Sequence, residues 1–167
     1  MKIELRKLRV DKRLSEETMC YSAEIWIDNA RAFLAGNRGH GGPDHFDQVG
    51  TVSLADVEAW LAKTRRPRVA YGLTMKHDLE MEVSDLMIEA EQIATIRRRM
   101  KTNVVTIEGE QVYTYSLKGR PVSDVVASIR RSKPNVVVVN EAGDVALSTA
   151  VKLLLDAARK AEGSAAL

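Results

Sequence analysis

The stretch TMCYSAEIWIDNARAFLA, residues 18–35, decides the fold. Met19, Tyr21, Ala23, Ile25 and Ile27 alternate with Cys20, Ser22, Glu24 and Trp26. A period of two places the two sets on opposite faces of a strand. Asp28-Asn29 then supplies a tight two-residue turn, and Ala30 to Ala35 returns as the partner strand. Upstream, Ile3, Leu5, Leu8 and Val10 stand against Lys2, Glu4, Arg6 and Arg9, with a slip near Lys7–Leu8. That pattern reads as a half-buried strand carrying a bulge. Leu14-Ser15-Glu16-Glu17-Thr18 is polar and turn-like. The N-terminal third is therefore expected to be a small antiparallel sheet.

The hairpin runs directly into Gly36-Asn37-Arg38-Gly39-His40-Gly41-Gly42, which holds four of the ten glycines within seven residues. Glycine at that density is used where backbone must turn sharply, move, or lie close to another group. Ser53, with Asp56 three residues on, marks the start of a short helix whose apolar face is Leu54, Val57, Trp60 and Leu61. Pro67 ends it. Val69 to His77, with the aromatic Tyr71, reads as irregular chain. Asp78 caps a long helix to about Lys101, with Leu79, Val83, Leu86, Ala90, Ile93 and Met100 on one face.

The last third changes character. Val104–Ile107 and Val112–Leu117 around Glu108-Gly109-Glu110 read as a hairpin. Ser123 is expected to cap a helix carrying Val125, Val126 and Ile129, stopped by Pro134. The run Val136–Val139 has the pattern of a strand buried on both faces. Gly143-Asp144 is expected to start the final helix, with a frayed tail from Glu162 to Leu167. The 18-residue connection from Lys118 to Asn135 suits a crossover between parallel strands. The fold class expected is α+β. Residues 1–77 form a sheet lobe with the Gly-His loop, 78–101 a linking helix, and 102–167 a hairpin-α-β-α lobe.

Composition narrows the class. Hydrophobic residues make up 45% of the chain, charged residues 29%, and the formal net charge is +2. A disordered chain and a strongly basic nucleic-acid binder are both excluded by those values. Cys20 is the sole cysteine, so neither an intramolecular disulfide nor a cysteine-based metal site can form within one chain. The segment Met1–Lys7 lacks the apolar core of a signal peptide, and no apolar run is long enough to span a bilayer. A cytoplasmic location, with no membrane partner, is expected.

Candidate chemistry concentrates near the glycines. His40, Asp44, His45 and Asp47 lie within eight residues and are of the ligand types that hold zinc or manganese. Such a site would serve a metal-dependent hydrolase or nuclease, with His40 and Glu16 or Glu17 as catalytic candidates. Neither a Walker lysine-Ser/Thr pair nor a GxGxxG spacing is present, so no nucleotide cofactor is expected. Three basic clusters, Arg65/Arg66/Arg68, Arg97/Arg98/Arg99/Lys101 and Arg130/Arg131/Lys133, sit at helix C-termini, where the helix dipole favours cations. Asn140-Glu141 follows the apolar run at a place that in α/β units can bind ligand, or else serves as a turn.

Three segments, Leu14-Ser15-Glu16-Glu17-Thr18, Gly39-His40-Gly41-Gly42 and Val138-Val139-Asn140-Glu141, resemble in order and spacing a family of small uncharacterised bacterial and bacteriophage proteins. The resemblance implies a prokaryotic or mobile-element origin and supplies no catalytic residues. The function expected is a small non-enzymatic binding protein that recognises nucleic acid or a host protein. Its binding residues would be Arg31, Arg38, Gly39, His40, Gly41 and Gly42, with Arg97 and Arg98 alongside. The alternatives are the metal-dependent enzyme and a homodimeric assembly protein paired through the long helix.

Overall fold

In the computed structural model of the protein, the alternating stretch forms the centre of a four-stranded antiparallel sheet. The order is β1 (Ile3–Val10), β2 (Tyr21–Ile27), β3 (Ala30–Asn37), β4 (His45–Gln48). The structure describes residues 1–70 and 73–165. Tyr71 and the last two residues of the expected C-terminal tail lie outside them. The chain divides into two units, Met1–Met87 and Ile88–Leu167.

In the first unit the local signals act as their chemistry requires. Asp28 and Asn29 both take positive φ, 48° and 67°, which a two-residue hairpin matched to strand twist demands and which these residues tolerate. The β1–β2 register slips between Arg6 and Arg9, around Lys7 at φ 54°, as the sequence pattern requires. Ile3, Ala23, Ile25, Phe33 and Ala35 face a core completed by Val57 and Leu61 of α1 (Leu54–Thr64) and by Leu79, Val83 and Met87 of α2 (Leu79–Arg99). Ser53 Oγ accepts from Asp56 N–H, and Asp78 Oδ1 accepts from Met81 N–H at 2.8 Å, so both expected caps are in place. Between these helices the segment read as irregular forms a small hairpin, β5 (Arg68–Ala70) and β6 (Leu73–Met75). Strands of three residues are too short to show a period. Glu82 is buried and takes a two-pronged contact from Arg65 (3.0 and 2.6 Å) and a third from His77 (3.0 Å). Burial alone would raise this carboxyl. Arg65 and His77 bring it below its ordinary value.

In the second unit β7 (Asn103–Glu108) lies between β8 (Gln111–Ser116) and β9 (Val137–Val138), antiparallel to both. Strands β8 and β9, joined through α3 (Val122–Ser132), therefore run in the same direction with β7 between them. Val104 packs with Val125, Val126, Ile129 and Val138. Val105 and Ile107 pack with Ile96, Val139, Leu147 and Val151 on the opposite side. The strand buried on both faces is thus β7. The run Val136–Val139 was expected in that role and is instead an edge. Only two of its residues pair, Val137 is 43% exposed, and at Val139 the chain enters α4 (Val139–Ala165).

Two further expectations need correction here. Ser123 does not cap α3: Pro121 occupies that place without a side-chain bond, and Ser123 donates to the Asp124 carboxylate at 3.3 Å. The final helix begins at Val139 and breaks at Gly143, whose φ of 70° lies outside helical space. Leu79, Val83, Leu86 and Ile93 of α2 pack in the chain's own cores, as an intramolecular role for that helix requires. No helix among the described residues is long and apolar enough to cross a membrane.

Asn140 explains how β9 can stop so early. Pairing runs through Thr106↔Val138, so the next strand residue would face Val105. The Asn140 carboxamide takes over. Its Oδ1 accepts the Val105 N–H at 2.8 Å, and its Nδ2 donates to the carbonyls of Asn103 (3.0 Å) and Met100 (3.4 Å). Of the two readings of Asn140-Glu141, the geometry is that of a structural joint, with Glu141 paired to Arg130 at 2.7 Å. Val105 is 1% exposed, so an unpaired N–H there cannot turn to water. Asn140→Ala is expected to lower stability by about 2–3 kcal/mol. Asn140→Asp, which keeps the acceptor, should cost less, as urea unfolding with an unchanged denaturant slope would report.

Candidate functional site

The glycine-rich segment connects β3 to β4 and crosses the connection between β1 and β2. At the crossing the Gly39 carbonyl accepts from three successive backbone amides, Glu16 (3.0 Å), Glu17 (3.0 Å) and Thr18 (3.4 Å). A Cβ on Gly39 would stand 1.9 Å from the Leu14 carbonyl oxygen, and its φ is 88°. Close approach, and not mobility, is the reason for glycine there.

Asn37 holds the crossing together from beneath. It is 7% exposed and uses its whole carboxamide. Its Oδ1 accepts from Thr18 Oγ1 (2.7 Å) and Gly39 N–H (2.9 Å). Its Nδ2 donates to the Gly42 carbonyl (3.2 Å) and Asp44 Oδ1 (3.0 Å). Thr18 Oγ1 in turn accepts from Gly41 N–H at 3.3 Å. Ser15 Oγ donates to the Asp11 carbonyl (2.7 Å) and accepts from Cys20 N–H (2.9 Å). Both hydroxyls of the turn are therefore engaged in holding backbone, and neither stands as a nucleophile beside His40.

The expected metal cluster is not assembled. The Asp44 carboxylate points to Tyr21 OH and Asn37. His45 pairs in register with Gly36 on the opposite face of the sheet, and its ring lies over that glycine, 2.9 Å from where a Cβ would be. Asp47 pairs with Leu34 on the same outer face as His45. His40 reaches outward to Glu16, with Nδ1 3.2 Å from Oε2, and both side chains are exposed. Four residues close in sequence thus point three ways. Among the described residues no group of three or more His, Cys, Asp or Glu is placed to hold a metal ion.

The electrostatics separate an inner and an outer face. Inside, burial and then the Asp44 carboxylate push the Tyr21 phenol well above its ordinary value, with Glu80 adding to the effect. Burial followed by Asp44 also raises the Glu80 carboxyl, against a hydrogen bond from the Asp44 backbone. Outside, Glu24 accepts from Lys7 (2.9 Å), Trp26 Nε1 (3.1 Å) and Arg31 (3.3 Å). Those bonds hold its carboxyl at about 2. Arg31, expected as a binding residue, is committed to Glu24, and Arg6 covers Trp26 at 4.1 Å while pairing with Glu4. Arg97 and Arg98 belong to the second unit, where Arg97 pairs with Asp144 at 3.0 Å.

What remains exposed at the crossing is a mixed surface. Arg9, Arg13 and Arg38 form no ion pair among the described residues. Val10, Leu14 and Met19 are 39%, 50% and 40% exposed. The strand register Val10↔Tyr21↔Asn37 and the Leu14–Gly39 approach bring these to one end of the sheet. Sequence reasoning missed Asn37, Tyr21, Arg13, Leu14 and Met19. An asparagine at a strand-to-loop junction was the available signal for the first. Comparison with protein-family models, with curated proteins and with solved structures finds no match to the chain.

Gly39→Ala is expected to cost about 4 kcal/mol or more, because a backbone carbonyl blocks the methyl. Gly42→Ala meets no atom within 4 Å and should cost only the left-handed strain, about 1–2 kcal/mol. Urea unfolding of the two variants checks the contrast. A tyrosine whose folded pKa is raised contributes stability that is complete below its unfolded pKa of about 10 and is lost as pH rises above it. Stability should therefore fall on the alkaline side, and Tyr21→Phe should flatten that limb in unfolding curves taken from pH 8 to 11.

Proposed function

We propose that the chain is a non-enzymatic binding protein whose crossed loops recognise another protein, one presenting an apolar patch bordered by carboxylates. The observation that carries this reading is the surface at the crossing. Exposed Val10, Leu14 and Met19 stand beside Arg13 and Arg38, which have no ion-pair partner among the described residues. Apolar side chains with methionine and arginine are the composition of interface centres. The Asn37 network holds the surface in one conformation, so little ordering entropy is spent on association.

Nucleic acid is the weaker partner for the same surface. Asp11, Glu16 and Glu17 lie in the same connection as Arg13, and carboxylates among the cations repel a phosphate backbone. The metal-dependent hydrolase lacks support in the geometry, since its histidines and carboxylates diverge. A prokaryotic or bacteriophage origin rests on the three short segments quoted above and belongs to the same proposal.

The test places a photoreactive residue at position 14, with the same residue at the exposed position 58 of α1 as control, in cells of the source organism. A discrete protein adduct from position 14 alone is expected, lost in the Arg38→Ala/His40→Ala double variant. The melting temperature of that variant should stay within about 2 °C, because neither side chain serves the loop scaffold. A nuclease-sensitive adduct, or adducts equal to those of the control position, would overturn the reading.

A further inference from the structure

In the second unit a groove of about 440 Å3 lies between β8 and α3. Its floor is Val125 and Ile129, both buried in the α3 core contact. Its walls carry hydroxyls from two directions. Ser128 and Ser132 stand one helical turn apart on the same side of α3, and Thr114 and Ser116 lie on the edge strand β8. The hydroxyls of Thr114, Ser116 and Ser128 form no hydrogen bond among the described residues, while Ser132 donates to the Ile129 carbonyl at 3.0 Å. Three donors are thus left for a ligand.

The mouth of the groove carries Lys118 and Arg120. They are set by a tight turn in which Arg120 N–H donates to the Leu117 carbonyl at 2.9 Å. Lys118 itself holds φ 48°, a conformation that non-glycine residues rarely adopt. Neither cation has a carboxylate partner among the described residues. Their neighbours differ: Arg97 pairs with Asp144, Arg130 with Glu141 and Lys133 with Glu108. No carboxylate lines the groove. A concave site of this size with two unpaired cations, free hydroxyl donors and an apolar floor selects a small anion with an apolar body.

We propose that the β8–α3 groove binds a small phosphate monoester, its phosphate held by Lys118, Arg120 and the free hydroxyls, its body resting on Val125 and Ile129. Phosphate fits better than carboxylate because it offers three oxygens to donors that converge from a strand, a turn and a helix.

The test is a titration of the full chain with phenyl phosphate, followed by amide chemical shifts, with inorganic phosphate and benzoate in parallel arms. Saturable shifts confined to 114–120 and 125–132 are expected, with inorganic phosphate competing and benzoate binding at least about tenfold more weakly. Lys118→Ala/Arg120→Ala should weaken phenyl phosphate about tenfold or more, and Ser128→Ala about threefold, with the remaining spectrum unchanged. Shifts that do not saturate, that spread equally to Arg98 and Arg131, or that persist in the double variant would overturn the proposal. So would equal binding of benzoate, which would leave only nonspecific attraction of anions.

Discussion

A strand that ends leaves its neighbour's amides without partners, and burial forbids water from supplying them. In this protein two asparagine carboxamides meet that constraint. Asn140 continues β9 with a side chain and so lets the chain turn into α4 after only two paired residues. Asn37 does the equivalent at the end of β3, tying one connection to the other through four bonds. A carboxamide suits both places because it carries donor and acceptor on one rigid plane, as a peptide does. A carboxylate would lack the donors and a hydroxyl the reach.

The same constraint changes the meaning of the glycines. A segment with four glycines in seven residues reads as mobile, yet the Gly39 carbonyl accepts three amides, and no Cβ could occupy the space beside it. The glycines allow two connections to touch backbone to backbone. Once they touch, the side chains that point outward are displayed on a fixed frame. The acids that might have served chemistry are partly drawn inward, with Asp44 between Tyr21 and Asn37.

Legibility in the sequence followed the range of the signal. The β1–β3 strands, the bulge at Lys7, the Asp28-Asn29 turn and the caps Ser53 and Asp78 all depend on residues within a few positions of one another, and each was readable. The strand β4 carries only one apolar residue that packs inward, Phe46, so no alternation announces it. Val136–Val139 misled because an apolar run tells how much is buried but not which neighbours exist. The central place belongs to β7, whose Val104 and Val105 face separate cores. For the site, spacing of His40, Asp44, His45 and Asp47 along the chain carried no information about direction. A strand that begins between Asp44 and His45 sends the two to opposite faces, and a loop sends His40 elsewhere.

Cations show the final step of the same logic. The sequence offers clusters of arginine and lysine without rank. Structure ranks them by what already neutralises each. Lys7 and Arg31 share Glu24, Arg65 takes Glu82, and Arg97, Arg130 and Lys133 each have a carboxylate. A partner that used these would first have to displace a neighbour that the fold has placed there. Arg13 and Arg38 at the crossing, and Lys118 and Arg120 at the groove, have no such competitor among the described residues. Full electrostatic attraction is open to an incoming anion only at positions of that kind. Recognition by this chain is therefore to be sought where charge is left over, and not where charge is most dense.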